Sequence, residues 1–77
     1  MLKDLLEYLA KALVDSPEEV QVKVTETDNS TVLELSVAKE DIGKVIGKQG
    51  RIAHALRTIV KASAVRDGKR AIVEIVD

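Results

Sequence analysis

The stretch that decides the fold is Ile42-Gly43-Lys44-Val45-Ile46-Gly47-Lys48-Gln49-Gly50-Arg51-Ile52. It holds three of the chain's four glycines, and two of these, Gly47 and Gly50, enclose a pair of polar residues. Apolar residues at helical spacing lie on both sides. Because glycine adopts backbone angles that are closed to other residues, the pair predicts a tight turn between two helices. Residues 47–50 are called the G-x-x-G loop below.

The segments around this loop carry either helical or strand periodicity. Working outward, the predicted elements are a helix over 2–14, strands over 20–25 and 32–37, helices over 39–46 and 51–65, and a last strand over 69–76. The polar turn 27–30 joins the first two strands into an antiparallel hairpin. The elements form a single domain that spans residues 1–77.

The order helix-strand-strand-helix-helix-strand predicts an α+β domain with a three-stranded mixed sheet. The two middle helices return the chain to the sheet, so the last strand should lie parallel to the second, with a right-handed crossover. The second strand is then central. Helices should cover one face of the sheet, as in a two-layer domain.

The net charge of −1 conceals an uneven distribution of charged residues. Residues 1–38 carry three Lys or Arg and eight Asp or Glu, whereas residues 39–70 carry nine and three. The basic part includes the G-x-x-G loop. Local charge, more than net charge, determines where a polyanion binds, although lysine-rich helix surfaces also occur simply for solubility.

The chemistry of the loop suits a phosphate backbone. Its glycines remove side chains that would keep a ligand away, and the amides that begin the next helix point outward at the positive end of the helix dipole. Lys48 adds a mobile positive charge, and Gln49 adds a donor and an acceptor. A plain helix–helix turn would also use two glycines. A nucleoside-triphosphate loop is excluded, because that motif needs four residues between its glycines and Ser or Thr after the lysine.

The run Val45-Ile46-Gly47-Lys48-Gln49-Gly50 resembles the signature of the KH domain family, and the element order resembles its type II arrangement. The resemblance covers the whole chain and is strongest to small stand-alone bacterial KH proteins of the KhpA type. It implies binding of single-stranded RNA, as an RNA chaperone or post-transcriptional regulator, with the loop clamping about four nucleotides of the backbone. The RNA-binding residues it implies are Ile42, Gly43, Lys44, Val45, Ile46, Gly47, Lys48, Gln49, Gly50 and Arg51.

Base recognition should be weak in such a domain. Many KH domains carry isoleucine three residues after the second glycine, where this chain has Ala53. The only aromatic residue is Tyr8, far from the motif, so bases would lie on aliphatic surface, with Ile42, Val45 and Ile46 forming the apolar side of the groove. We therefore expect backbone-led binding with little sequence preference.

The second middle helix has an apolar arc of about 180°, wider than a core-facing stripe needs. The surplus should meet a partner helix, the RNA groove or the other layer of the same domain. The resemblance implies a homodimer through this helix, or a heterodimer with a larger Jag-like KH protein. The dimer-interface residues it suggests are Ala53, His54, Arg57, Val60, Lys61 and Ala64.

Other functions find little support in the composition. The chain has no cysteine and a single histidine, His54, so neither a metal site, a cofactor site nor a catalytic site is predicted. No apolar run reaches the roughly 20 residues of a membrane span, and we expect a cytoplasmic protein without a small-molecule substrate. A second hypothesis is a protein-interaction module whose G-x-x-G loop is vestigial.

Overall fold

The computed structural model describes residues 2–76 and shows the predicted order of elements. They are α1 (Leu2–Leu13), β1 (Gln21–Glu26), β2 (Ser30–Ser36), α2 (Ile42–Ile46), α3 (Arg51–Arg66) and β3 (Arg70–Val76). Short 3₁₀ turns at Pro17–Glu19, Lys39–Asp41 and Lys48–Gly50 lie in the connections. The α+β class and the order helix-strand-strand-helix-helix-strand are therefore confirmed.

The sheet has the predicted topology. β1 pairs with β2 in antiparallel orientation, and β3 pairs with β2 in parallel, so β2 is the central strand. In this register Val24, Leu33 and Val73 form one row across the sheet. β2 begins two residues earlier than predicted, because the N–H of Thr27 donates to the Ser30 carbonyl at 2.8 Å and closes the turn there.

The core lies between one face of the sheet and the helices. Its buried residues are Leu6, Ala10, Val14, Val20, Val22, Leu33, Leu35, Val45, Leu56, Val60, Ala64, Ala71 and Val73. The opposite face of the sheet carries the row Lys23, Glu34 and Glu74, as the two-residue period of a strand requires. Helices therefore cover one face only.

The predicted helix over residues 39–46 is divided in two. A 3₁₀ turn spans Lys39–Asp41, and α2 contains only the five residues Ile42–Ile46. So short a helix has little stability of its own and depends on contacts with the rest of the domain. Within residues 2–76, no helix is long and apolar enough to cross a membrane.

Candidate nucleic-acid interface

The G-x-x-G loop turns the chain from α2 into α3 with three residues in positive-φ conformations. Gly47 ends α2 with φ 77°, and Gln49 and Gly50 follow with φ 58° and 73°. Glycine adopts such angles without strain, whereas Gln49 is a side-chain-bearing residue in the left-handed region. Backbone strain of this kind is commonly found at functional sites.

Gly47 is also required by packing. A Cβ atom built on it would lie 2.5 Å from Cγ1 of Ile52, in the first turn of α3. Added Cβ atoms on Gly43 and Gly50 would meet nothing within 4 Å. The contact between Gly47 and Ile52 therefore fixes the start of the loop against α3, and the other two glycines leave the surface open.

The backbone N–H groups of the loop differ in their hydrogen bonds. The N–H of Gly50 donates to the Gly47 carbonyl at 3.1 Å, and the N–H of Arg51 donates to the Lys48 carbonyl. Among the backbone hydrogen bonds of turns and loops within residues 2–76, none has the N–H of Lys48 or of Gln49 as its donor. No side chain caps the N-terminus of α3. These amides lie where an anion gains from the helix dipole.

Lys48 and Lys44, both predicted to bind RNA, have different surroundings. Lys48 is exposed and forms no ion pair with any residue in the range 2–76. The Nζ of Lys44 lies 3.2 Å from Oδ2 of Asp15 and 3.5 Å from Oδ1 of Asp41. The hydrogen bond to Asp15 and its negative charge raise the pKa of Lys44, with a smaller contribution from Asp41.

Asp41 is a buried carboxylate that the sequence analysis did not select. It is 2% exposed, and its Oδ2 accepts a hydrogen bond from the backbone N–H of Ser16 at 3.0 Å. Burial by itself raises the pKa of this carboxyl. The backbone hydrogen bonds from Ser16 and Asp15, together with Lys44, outweigh burial, so the pKa lies below its ordinary value.

A groove with two basic residues runs between α3 and β3. It has a volume of about 200 Å³ and is lined by Arg57, Lys61, Ala71, Ile72 and Val73. The Nε of Arg57 donates to the Val73 carbonyl at 3.2 Å. β3 is an edge strand, so this bond satisfies one of its outward-facing carbonyls and holds the guanidinium in the groove.

Comparison with known proteins identifies the family. The family model described as KhpA/KhpB, KH domain matches residues 3–75. The chain belongs to this KhpA/KhpB family of KH domains. It is similar to RNA-binding protein KhpA of Clostridium acetobutylicum, with 60% identity over 97% of this chain and 100% of that protein. RNA-binding protein KhpA of Caldanaerobacter subterraneus is 56% identical over 95% and 97% of the two chains.

Solved structures show the same fold in a larger protein. A single-residue variant of Aquifex aeolicus Era, bound to GDP and AlF4−, superimposes through its KH domain with a TM-score of 0.68 at 20% identity. The match covers 96% of this chain and 29% of that one. Era in complex with MgGDPNP and nucleotides 1506–1542 of 16S ribosomal RNA superimposes with the same TM-score. The predicted type II KH fold is therefore confirmed.

Val45 of this KH domain does not form the apolar side of the base groove, where the sequence predicted it. It is fully buried and belongs to the core, so the prediction that it forms groove surface is wrong. Ile42 and Ile46 are partly exposed. The reason is the geometry of α2, in which Val45 faces the core while Ile42 and Ile46 lie at the edge of the surface that α2 buries.

Three of the suggested dimer-interface residues are also placed wrongly. Ala53, Val60 and Ala64 are at most 4% exposed and are buried within the domain itself. His54, Arg57 and Lys61 are exposed, as expected. The small alanines let α3 pack closely on the rest of the domain, so the core uses this side of the wide apolar arc.

The part of the apolar arc that the core does not bury lies on a different side of α3 from Ala53, Val60 and Ala64. Ala55, Ile59 and Ala62 are all exposed, and Ile59 retains 43% of its accessible surface. Their spacing of four and three residues places them in one stripe. No sequence pattern separated this stripe from the buried one, because both are apolar at helical spacing.

The α3–β3 groove was missed for a different reason. Arg57 and Lys61 are four residues apart, which places them on the same face of a helix. That spacing was a signal in the sequence, but the groove becomes evident only when β3 lies beside them. Among residues 2–76, no group of three or more His, Asp or Glu side chains is placed to hold a metal ion.

Proposed function

We propose that this KH domain is a non-enzymatic RNA-binding protein that holds the sugar–phosphate backbone of a single strand at the G-x-x-G loop. The observation that carries the proposal is the loop itself, which exposes Lys48 and Gln49 immediately before the N-terminus of α3. The relatives named RNA-binding protein KhpA support the choice of RNA.

Each part of the loop has a physical role in this proposal. The N–H groups of Lys48 and Gln49 donate to phosphate oxygens, and the ammonium group of Lys48 supplies the opposite charge. Gly50, and Gly43 on the adjacent turn of α2, keep the surface low enough for the sugar–phosphate chain to come near. Arg51 follows the loop and donates to Oε1 of Gln49 at 3.4 Å, so it also directs positive charge toward this site.

Bases lie against aliphatic surface beside the loop. Ile42 and Ile46 supply the apolar contact from α2, and the α3–β3 groove offers Ile72 with Arg57 and Lys61. No aromatic ring lies in either place, since Tyr8 on α1 is the only aromatic residue. Affinity should be modest and sequence preference small, which suits an RNA chaperone or post-transcriptional regulator in the cytoplasm.

The loop proposal is tested by changing Lys48→Asp and Gln49→Asp together. The double variant should lose RNA binding in a gel-shift assay, because two carboxylates replace a cation and a donor beside the phosphates. Both side chains are exposed, so circular dichroism should show an unchanged fold. Undiminished affinity in a folded double variant would overturn the proposal.

The salt dependence of binding gives an independent readout. With three or four phosphate contacts, the logarithm of the association constant should fall with the logarithm of salt concentration with a slope of roughly −2 to −3. A flat salt response would indicate that the domain binds RNA without phosphate contacts, contrary to the proposal.

A second candidate function is a protein-interaction module that works through the exposed stripe Ala55, Ile59 and Ala62 of α3. Two copies of this stripe could pack against each other as a homodimer, with small residues allowing close approach of the helices. The family description names KhpA and KhpB together, which supports a larger KH protein of the Jag type as an alternative partner.

The variant Ile59→Asp tests the dimer. It should convert a dimer to a monomer in size-exclusion chromatography with light scattering, because a carboxylate would be buried in the apolar contact. The control is Tyr8→Asp, since Tyr8 lies on α1, outside the stripe, and is 72% exposed. A monomeric wild-type chain, or equal behaviour of the two variants, would contradict pairing through this stripe. Substitution of Val60 is unsuitable, because Val60 is fully buried.

A further inference from the structure

The acidic cluster beside α2 has no place in the RNA contacts described so far. Asp41 and Asp15 surround the Nζ of Lys44, at 3.5 Å and 3.2 Å. Two carboxylates around one ammonium leave one net negative charge. A phosphate approaching Lys44 would meet this charge and would have to replace an existing ion pair. Lys44 is therefore poorly suited to the phosphate-binding role that its position in the sequence suggests.

The same cluster connects α2 to a distant part of the chain. The buried carboxylate of Asp41 accepts the N–H of Ser16, which lies in the connection between α1 and β1. Lys44, one helical turn later, extends the connection to the side chain of Asp15. Because α2 has only five residues, these bonds and the packing of Val45 determine where the helix lies.

The position of α2, together with the contact between Gly47 and Ile52, determines where the G-x-x-G loop begins. Gly47 caps the C-terminus of α2, and its N–H donates to the Gly43 carbonyl at 2.9 Å. A shift of α2 is thus transmitted directly to the backbone of residues 47–50. Binding sites that depend on several donors lose affinity when their supporting contacts allow displacements on the order of 1 Å.

We propose that Asp41 is a positioning residue for the G-x-x-G loop, and that Lys44 is its ion-pair partner instead of a phosphate ligand. This inference rests on the proposed function, because it concerns the same RNA-binding loop. It assigns to the chain a carboxylate that supports RNA binding without touching the RNA. It also gives Lys44, which was predicted to bind RNA, a role without direct contact to a phosphate.

The test compares Lys44→Met with the matched variant Lys48→Met in binding a labelled oligouridine strand at several salt concentrations. Losing a phosphate contact makes the salt slope shallower by about 0.7 for a single strand. Lys48→Met should show this change. Lys44→Met should weaken binding at every salt concentration, about threefold or more, and should change the slope much less than Lys48→Met does.

Asp41→Asn supplies the complementary measurement. If the carboxylate only repelled RNA, its neutralisation would tighten binding. As a positioning residue, its neutralisation should weaken binding at temperatures well below the melting transition and should shift the NMR signals of the Gly47 and Gly50 amides. If Asp41→Asn does not fold, Lys44→Met still decides the question, because the Lys44 side chain is 43% exposed and Asp41 keeps the hydrogen bond from the Ser16 N–H.

The outcomes separate this inference from the proposed function. A shallower slope for Lys44→Met, equal to that of Lys48→Met, would overturn the inference and leave RNA binding at the loop intact. Unchanged RNA affinity in both Lys44→Met and folded Asp41→Asn would mean that the cluster only stabilises the fold. That result would also overturn the inference. A wild-type slope that Lys48→Met does not alter would contradict the proposed function itself.

Discussion

At the residue scale, the three glycines of the motif have different physical roles. Gly47 needs both a positive φ and the absence of a Cβ atom, Gly50 needs only the positive φ, and Gly43 lies in α2 with open space around it. The sequence predicted a turn at Gly47 and Gly50. It could not assign the left-handed conformation to Gln49, because residues that carry a side chain rarely adopt it.

Alanine substitutions should rank these three positions by stability. Gly47→Ala should destabilise the domain by about 2–4 kcal/mol, from left-handed strain and the collision with Ile52. Gly50→Ala should destabilise the domain by about 1–2 kcal/mol, because only the positive φ is strained there. Gly43→Ala should stabilise the fold by about 0.5–1 kcal/mol, since alanine favours the helix. Urea denaturation measures all three.

Gly43→Ala also serves as a probe of the RNA surface. A methyl group there points into open space, so any loss of RNA affinity in this more stable variant must come from obstruction of the ligand. Equal destabilisation by Gly47→Ala and Gly50→Ala would contradict the packing role assigned to Ile52.

At the scale of the element, α2 depends on a charged anchor that makes its stability sensitive to pH. The carboxylate of Asp41 faces the N–H groups of Ser16 and Asp15 and the ammonium of Lys44, and the side chain of Asp15 also contacts that ammonium. Against the opposing effect of burial, these donors hold the pKa of Asp41 below its ordinary value. The ionised form therefore stabilises the folded state above the unfolded pKa of about 3.9.

The stability difference between wild type and Asp41→Asn should accordingly depend on pH. It should be constant near neutral pH and should narrow as the pH falls below about 4, through the folded pKa, because the carboxylate is then protonated. Urea denaturation of both proteins across this range measures the difference. Carboxylates outside this cluster affect both proteins equally and cancel. A difference that stays constant to low pH would contradict the ionised anchor.

Helix α3 shows where sequence periodicity reaches its limit. Its existence and extent were predicted almost to the residue, because a long amphipathic pattern with a glycine before it is a strong signal. Which side of α3 faces the core was not predicted, since the apolar arc is wider than one contact surface. Only the sheet and α1 decide that Val60 faces inward and Ile59 outward.

At the scale of the whole molecule, the topology followed from the order and period of the elements. Two strands with a short turn pair antiparallel, and a crossover through two helices makes the last strand parallel. The charge pattern was less informative. Lys44 and Lys48 both belong to the basic part of the sequence, but folding brings Asp15 from the acidic part of the chain to Lys44 and leaves Lys48 without an ion pair among residues 2–76.

The most direct test of RNA binding at the G-x-x-G loop is a titration of the ¹⁵N-labelled domain with single-stranded oligouridine, followed by NMR. The proposal predicts that the largest chemical-shift changes occur at the amides of Lys48, Gln49 and Gly50, with smaller ones along Ile42, Ile46 and the α3–β3 groove. Changes confined to the exposed face of the sheet or to the stripe around Ile59, with unmoved loop amides, would contradict it.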